Sequence, residues 1–236
     1  MAHLQGRERA DYVRGMFGRI ARRYDLMNRL MTFGQDRRWR RFAVEKAALP
    51  PGGQMLDLAA GTGDVAFAAL EHDPALTVVG ADFALPMMLV GRKRPAGDRV
   101  RWCQGDALHL PYPVDAFDAV ISGYLLRNVI DLRRALTEQL RVVRPGGMIV
   151  ALDTTPPPHS LLRPLIEIHL RYVIPLLGRF VAGAPDAYQY LPNSTQAFKS
   201  ADDLAALMRE VGLVDVGFRK FMFGTMAVHW GRKPGP

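Results

Sequence analysis

The stretch Asp57-Leu58-Ala59-Ala60-Gly61-Thr62-Gly63-Asp64 decides the fold, because a short apolar run meets two closely spaced glycines there. Residues 54–59 have the pattern of a buried strand, and glycines permit a tight turn in which a ligand approaches the backbone closely. With Ala66, the two glycines also match the spacing of dinucleotide-binding turns that join a strand to a helix. The stretch therefore predicts a βα unit with a nucleotide-like ligand.

Carboxylates on both sides of this turn argue against a phosphate-bearing ligand. Asp57 precedes the glycines, and Asp64 opens the helix that follows them. Both acids would repel a pyrophosphate at the helix N-terminus and would favour a cationic ligand. S-Adenosylmethionine carries a sulfonium and an ammonium and has no phosphate, so the charges predict this cofactor rather than a nicotinamide nucleotide. Asp64 could also serve the helix dipole.

Strand and helix patterns alternate on the carboxyl side of the turn, which predicts a parallel sheet with helices on both faces. A further helix and a β-hairpin with a tight turn at Gly224 follow a less regular segment. The predicted strands are 77–81, 100–104, 117–122, 148–152, 213–221 and 226–230. The helix after the glycine turn is predicted to end near residue 72, and further helices are predicted at 84–93, 132–142 and 201–211.

The composition limits the class of protein. The formal net charge is +8, and residues 1–50 hold 12 basic against 5 acidic residues, while the remainder holds 19 against 18. Such a basic arm could meet nucleic acid, an anionic membrane or only solvent. One cysteine, Cys103, and scattered histidines predict neither a disulfide framework nor a metal site. We expect a cytoplasmic protein, since we find no secretory signal and no apolar run of the roughly 18 residues that span a bilayer.

We expect a single domain over residues 1–236. It would comprise a basic helical arm at 1–50, a cofactor-binding core at 51–153, an inserted lid or substrate segment at 154–198, and a C-terminal helix and hairpin at 199–236. The arm is read as helical over 8–48, with a break near Thr32–Gly34. The insertion contains the long apolar run Leu161–Ala182. This run would be a lid or an interfacial helix, and burial against the core is an open alternative.

Several blocks of the chain carry a family resemblance. They are residues 17–28, Phe33-Gly34 with Trp39, 57–64, Leu126-Arg127-Asn128-Val129 with Asp131, 141–147 and 188–191. Over about residues 12–233 the chain resembles the UbiE/MenG-type quinone C-methyltransferases, which methylate ubiquinone and menaquinone precursors. The resemblance implies the class I methyltransferase fold, an α/β Rossmann-like architecture whose seven-stranded sheet is parallel except for its last strand. Two departures are Leu125, where the family usually has glycine, and Asp153-Thr154-Thr155, where it tends to have glutamate followed by a small residue.

The cofactor site is predicted from strand ends. An acid at Asp82 is placed to accept hydrogen bonds from both ribose hydroxyls, Asp106 could accept from the adenine amine, and small residues at Ser122-Gly123 leave room for the methionine portion. The resemblance carries the family's cofactor positions to Thr62, Asp82, Asp106 and Ala107, with Gly123 as a further contact. The predicted cofactor residues are Asp57, Gly61, Thr62, Gly63, Asp82, Phe83, Asp106, Ala107 and Gly123.

The catalytic residues are predicted for methyl transfer to a ring carbon of a quinol. That carbon becomes nucleophilic when the adjacent hydroxyl loses its proton, so the protein must stabilise an oxyanion. We predict Arg127 as this stabiliser, with an ion pair to an acid such as Asp131 as the alternative. Asn128 would support the site or cap the following helix. Tyr24 is the third predicted catalytic residue, and it could instead belong to the core.

Substrate contacts are predicted at Asn28, Tyr124, Tyr188 and Tyr190. Asp25 is a candidate base or a salt-bridge partner, and His229 has a suitable ordinary pKa but could be structural.

The predicted reaction is S-adenosylmethionine-dependent C-methylation of a polyprenylated quinol, with demethylmenaquinol as the favoured substrate. Alternatives are a ubiquinone-precursor benzoquinol, a soluble aromatic without a prenyl tail, or a cofactor-binding protein that has lost catalysis. A nucleic-acid-binding protein is a further alternative, although the arginines of the arm alternate with core-like apolar residues and no RNA-reading motif occurs. We therefore predict no nucleic-acid partner. Peripheral contact with an anionic membrane and assembly into a homo-oligomer are compatible with the sequence.

Overall fold

Helices and strands alternate through the part of the chain that the computed structural model describes, namely residues 6–157, 163–168, 172, 173, 176 and 194–235. In chain order these elements are α1 (Gly6–Ile20), α2 (Tyr24–Thr32), α3 (Asp36–Lys46), β1 (Gln54–Leu58), α4 (Asp64–His72), β2 (Thr77–Asp82), α5 (Leu85–Arg92), β3 (Val100–Gln104), β4 (Phe117–Gly123), α6 (Leu132–Val142), β5 (Val143–Thr154), α7 (Arg163–Ile168), α8 (Ala201–Glu210), β6 (Val214–Phe221) and β7 (Met226–Arg232).

The strands form one seven-stranded sheet in the order β3-β2-β1-β4-β5-β7-β6. The first five strands are parallel, and β7 lies antiparallel between β5 and β6. The strand order reverses between β1 and β4, and the connections at the carboxyl ends of these two strands diverge to leave a crevice. This arrangement confirms the predicted fold class.

Apolar residues cover both faces of the sheet, as a parallel sheet between two helical layers requires. Met55 and Ile121 belong to the buried cluster that includes residues of α3 and α4. Leu56 and Ile149 belong to the cluster that includes residues of α6 and α8. All four side chains are fully buried, and burying each contributes about 1.5–3 kcal/mol. The position of the crevice is therefore fixed by a rigid core.

The basic arm contains three helices in the described residues. The predicted break near Thr32–Gly34 is present, and Phe33 ends α2 in the left-handed region with φ 53°. A second break at residues 21–23 was not predicted, because Ala21-Arg22-Arg23 contains neither glycine nor proline. Ala21 is buried beside Ala84 and Met87, so the break lets α1 and α2 pack separately against the core.

Strand β5 begins earlier than predicted. The sequence pattern indicated a turn at Pro145-Gly146-Gly147 before a strand at 148–152, but this tripeptide lies inside β5. A register shift against β4 accommodates it, and a Cβ at Gly147 would lie 2.5 Å from the carbonyl oxygen of Asp118. The glycine therefore permits close packing of two strands here, and it does not end a strand.

The predicted insertion at 154–198, with its apolar run Leu161–Ala182, lies mostly outside the described residues. Its described helix, α7, carries an Arg163–Glu167 ion pair of 3.0 Å. Among the described residues, no helix has both the length and the apolar character needed to cross a bilayer.

Candidate active site

A cleft of about 940 Å³, including its open mouth, lies at the carboxyl ends of the central strands. Two parts of its lining are distinguished by the sheet order. The loop end follows β1 to β3 and consists of Gly61, Asp82, Phe83 and Asp106. The tyrosine end consists of Tyr124 and Asn128, which follow β4, and of Tyr24, which opens α2.

The two glycines of the loop have different roles. Both have left-handed backbones, with φ +56° at Gly61 and +89° at Gly63. Gly61 lines the cleft, and a Cβ added there would lie 3.3 Å from the flexible tip of Met87. A Cβ at Gly63 would lie 2.8 Å from the ring of Trp102. Gly61 therefore gives the cleft its backbone surface, and Gly63 allows the loop to pack on an aromatic ring.

Asp82 connects the loop to the end of β2. Its carboxylate accepts hydrogen bonds from the backbone N–H groups of Gly61 and Ala84, each at 2.7 Å. Burial raises the pKa of Asp82, and these two hydrogen bonds oppose the rise. Each oxygen keeps a lone pair for a further donor, so Asp82 both shapes the loop and can accept from a ligand in the cleft.

Asp57 does not line the cleft, contrary to its predicted contact with the cofactor. It is 1% exposed, and its Oδ2 accepts from the N–H of Ala66 in the first turn of α4 at 2.9 Å. Burial raises the pKa of Asp57 to about 7. The side chain therefore stabilises an otherwise unsatisfied N–H group of the helix.

Thr62 and Asp64 face the N-terminal helices. The hydroxyl of Thr62 donates to Asp25 at 2.5 Å. Arg94 lies 3.0 Å from Asp25 and 2.7 Å from Asp64, and Arg40 lies 2.9 Å from Asp64. These five residues form the arm–loop network, which joins α2 and α3 to the cofactor turn.

The arm–loop network changes the interpretation of the acidic turn. Arginines compensate the charge of Asp64, and Asp57 lies outside the cleft. The carboxylates that line the cleft are instead Asp82 and Asp106. The two acids that flank the glycines are therefore not the groups that would select a cationic ligand, and Asp25 acts as a salt-bridge partner.

Most of the remaining predicted cofactor residues line the cleft. Phe83, Asp106, Ala107 and Gly123 line the cleft, whereas Gly63 does not. Asp106 accepts from the backbone N–H of Leu108 at 2.9 Å.

Helix α1 contributes to the cleft, which was not predicted from the sequence. Val13, Arg14 and Phe17 belong to the lining, and the Arg14 guanidinium lies 5.0 Å from the ring centroid of Phe83. Val13 and Phe17 are four residues apart, a spacing that places them on one helical face but does not indicate which surface that face covers.

The tyrosine end contains two half-buried tyrosines, Tyr24 and Tyr124. Burial raises the pKa of Tyr24, while a hydrogen bond with Asn28 and the charges of Arg127 and Arg40 oppose the rise. Burial also raises the pKa of Tyr124, so both phenols stay protonated at neutral pH. Asn28 is buried and does not line the cleft. Its predicted substrate contact is replaced by a contact with Tyr24.

Arg127 forms a buried ion pair with Asp153 at the end of β5. The two residues are 5% and 1% exposed, and the Arg127 backbone N–H also donates to Asp153 at 3.2 Å. The guanidinium stacks on Tyr124, 4.9 Å from the ring centroid. An ion pair was the predicted alternative for Arg127, but its partner is Asp153. Arg127 is therefore behind the lining, with Tyr124 at its face.

Asn128 donates from Nδ2 to the carbonyl oxygen of Tyr124 at 2.7 Å, and it lines the cleft. It does not cap the next helix. That cap is Asp131, which accepts from the N–H of Arg134.

His229 lies away from the cleft, where Nε2 is 2.9 Å from the carbonyl oxygen of Ala201. Burial lowers its pKa, and its role is structural. The predicted substrate residues Tyr188 and Tyr190 lie outside the described residues.

The doubly wound sheet, with its cleft at the β1/β4 crossover, is the fold of class I methyltransferases. It matches an S-adenosylmethionine-dependent methyltransferase of Thermotoga maritima with a TM-score of 0.66 at 20% identity, covering 93% of this chain and 98% of that chain. It also matches phosphoethanolamine N-methyltransferase 2 of Haemonchus contortus, solved with S-adenosyl-L-methionine, with a TM-score of 0.59 at 15% identity, covering 79% and 50%.

The chain belongs to the ubiE/COQ5 methyltransferase family, which it matches over residues 5–233. It is 51% identical to the ubiquinone/menaquinone biosynthesis C-methyltransferase UbiE of Desulfotalea psychrophila, covering 94% of this chain and 90% of the relative. It is 43% identical to the demethylmenaquinone methyltransferase of Thermus thermophilus, covering 93% and 100%. The protein is an S-adenosylmethionine-dependent C-methyltransferase, which confirms the predicted family, enzyme class and cofactor.

The cleft fits this cofactor. Asp82 and Asp106 supply acceptors for hydroxyl and amine donors. Among the described residues, a Cβ at Gly123 would meet Val65 alone within 4 Å, at 3.6 Å, so these residues leave space beside β4. When bound, S-adenosylmethionine supplies an electrophilic methyl group on a sulfonium.

Proposed function

We propose that this enzyme methylates a ring carbon of a polyprenylated quinol and that demethylmenaquinol is its substrate. Relatives that are 37–43% identical and carry the name demethylmenaquinone methyltransferase support the proposal. The observation that carries it is the tyrosine end, where phenol and amide groups line the cleft beside a buried guanidinium. An aromatic ring with a hydroxyl fits such a surface.

Tyr24 and Asn128 are the proposed catalytic residues, because both line the cleft and can donate a hydrogen bond to the quinol oxygen. A developing oxyanion is stabilised more strongly by donors in a water-poor site than in water. Tyr124 forms the adjacent wall of the ring site. These roles also agree with the high pKa of both tyrosines, since a donor must keep its proton.

Arg127 is the proposed positioning residue. It contributes positive charge behind Tyr124, and Asp153 fixes its orientation. The guanidinium is the end of this ion pair that faces Tyr124. The positive end of a buried ion pair favours a nearby phenolate over the phenol because Coulomb interactions are strong at low dielectric. Charge is then neutralised when the phenolate and the sulfonium react, which a dry cleft favours.

We also propose that Asp82, Phe83, Asp106, Ala107, Gly61 and Gly123 contact the cofactor. The basic arm supports a peripheral association with anionic membranes, where a polyprenylated quinol resides.

The test is incubation of the protein with isotope-labelled S-adenosylmethionine and demethylmenaquinol in detergent, followed by mass analysis of the quinol. We expect one labelled methyl group on the ring and its loss in Asp82→Ala. His229→Gln is the matched control and should keep its activity, because His229 lies outside the cleft. If the enzyme methylated a benzoquinol precursor and did not methylate demethylmenaquinol, the proposed substrate would be wrong and the benzoquinol would take its place.

A further inference from the structure

Helix α2 has an exposed apolar ridge on the face opposite its buried side. Leu26, Leu30 and Phe33 are 51%, 38% and 73% exposed. The four-residue spacing of Leu26 and Leu30 places them on one side of the helix. Phe33 follows at the residue that ends it. Met27 and Met31, on the other side, are buried. A helix with a buried and an exposed apolar side needs two apolar environments, and the core supplies only one of them.

Exposed arginines occur before, within and after this ridge in the sequence, and the ridge together with these arginines is called the ridge surface. They are Arg22, Arg29, Arg37, Arg38 and Arg41. Of the acids in α2 and α3, Asp25 pairs with Arg94 and Asp36 pairs with Arg40. Glu45 is the remaining acid and is exposed, so the five arginines keep an excess of positive charge. The ridge surface therefore combines apolar side chains with a strongly positive rim.

The described part of the insertion exposes further apolar residues. Ile168, Tyr172 and Leu176 are 51%, 69% and 58% exposed. Exposed apolar residues therefore occur both in the arm and in the segment that follows β5.

We propose that the ridge surface docks onto an anionic lipid bilayer, with Leu26, Leu30 and Phe33 inserted among the lipid headgroups. Apolar residues rimmed by arginines are the pattern of helices that lie in a membrane interface. A second copy of the chain does not fit this surface. A symmetric dimer would place each patch against itself and bring the arginine rims together.

The docking proposal rests on the proposed function, because a polyprenylated quinol must reach the cleft from a bilayer. Tyr24 opens α2 and lines the cleft. The ridge and the tyrosine end thus belong to one helix, and a docked α2 places the mouth of the cleft near the lipid.

Vesicle sedimentation tests the proposal with the full chain. The protein should bind vesicles of phosphatidylcholine with phosphatidylglycerol, bind weakly to phosphatidylcholine alone, and dissociate as salt is added. The double variant Leu26→Ser/Leu30→Ser should bind the anionic vesicles at least about tenfold more weakly. Val114→Ser is the matched control, because Val114 is 59% exposed and precedes β4, outside the ridge surface.

A charge reversal separates the electrostatic contribution to vesicle binding from the apolar contribution. Arg29→Glu/Arg38→Glu should also lose binding, whereas Arg101→Glu, an exposed arginine of β3, should not. Unchanged binding in both double variants would overturn the proposal. A dimer in analytical ultracentrifugation that disappears in Leu26→Ser/Leu30→Ser would overturn it in favour of a second copy.

Methylation of detergent-dispersed demethylmenaquinol makes the two proposals distinguishable. Both double variants should retain activity in detergent, because the cleft lining is intact. Absence of methylation by the unaltered protein in detergent would contradict the proposed function, while vesicle binding reports on the ridge surface alone.

Discussion

At the loop end of the cleft, Asp82 accepts from backbone N–H groups of Gly61 and Ala84. Behind the tyrosine end, the Arg127 guanidinium meets the carboxylate of Asp153, and both side chains are almost completely buried. The loop end therefore depends on backbone geometry with one carboxylate. The tyrosine end depends on two full charges of opposite sign that are both buried away from water.

This difference determines how each end responds to a substitution. A carboxylate held by backbone donors still has those donors when a neighbour changes. A buried ion pair loses its compensation when either member is removed, and the remaining charge is then stranded at low dielectric. We therefore expect the tyrosine end to be the more sensitive of the two.

The largest effect is expected for Arg127→Ala. Removing one partner of a buried ion pair typically costs about 3–5 kcal/mol of unfolding free energy. The substitution should also lower kcat about a hundredfold, because it removes the group behind Tyr124 that positions this wall of the ring site. Urea unfolding and kcat at saturating concentrations of both substrates measure the two effects.

A neutral pair separates stability from catalysis at this end. Arg127→Met/Asp153→Asn removes both charges, and the single amide oxygen can replace one of the two carboxylate oxygens that accept from the backbone N–H groups of Arg127 and Thr154. Part of the stability should return, while kcat should stay low. A double variant with kcat within about tenfold of the unaltered enzyme would assign the ion pair a purely structural role.

The next largest effect is the pH dependence of stability that we expect from Asp57, which lies in β1 ahead of the glycine loop. Burial raises its pKa to about 7 in the folded state, so the folded protein binds this proton more tightly than the unfolded chain. Stability from this group is fully present below about pH 4 and is lost as pH rises to about 7, at about 1.4 kcal/mol for each pH unit. Asp57→Asn should remove this dependence in urea unfolding between pH 5 and 8.

Asp73 provides a control of opposite sign. Its exposed carboxylate accepts from the backbone N–H groups of Gly52 and Ala75, and these bonds lower its pKa. Its contribution is present above the ordinary aspartate pKa and is lost as pH falls through the lowered value. Asp73→Asn should therefore leave the slope between pH 5 and 8 unchanged. A similar slope in the unaltered protein and Asp57→Asn would contradict the role of Asp57.

The smallest effects should distinguish the two glycines of the loop end. Gly63→Ala should cost about 2 kcal/mol of unfolding free energy, from left-handed strain and a clash with Trp102. That ring cannot move easily, since its Nε1 donates to the carbonyl oxygen of Gly97 at 2.8 Å. Gly61→Ala should cost about 1 kcal/mol but weaken cofactor binding about tenfold, because Gly61 lines the cleft. Urea unfolding and calorimetry with S-adenosylhomocysteine measure these losses, and equal losses of stability would contradict the distinction.

Sequence reasoning predicted the loop end better than the tyrosine end, and the reason is physical. Local patterns specify strands and turns, so β3 and α6 have the predicted bounds, and Asp82 and Asp106 line the cleft as expected. The partner of Arg127 is Asp153, 26 residues away on a neighbouring strand. No local pattern indicates which distant acid an arginine will meet.

The arm–loop network shows the same limit. The sequence placed Asp25 among basic residues of its own helices, whereas in the structure it meets Arg94, 69 residues away. The predicted attraction of Asp64 for a cationic ligand is wrong for the same reason, because Arg40 and Arg94 come from distant parts of the chain to compensate its charge. The predicted cofactor is nevertheless confirmed, since the family resemblance depends on blocks spread along the chain.

The interior position of β7 has a consequence for biosynthesis. On a ribosome, β5 emerges before α8, β6 and β7, and it remains an open sheet edge until β7 inserts beside it. Strand edges that wait for a distant partner are prone to intermolecular pairing. The nascent chain therefore passes through an aggregation-sensitive stage that ends only when β7 of the final hairpin pairs with the open edge of β5.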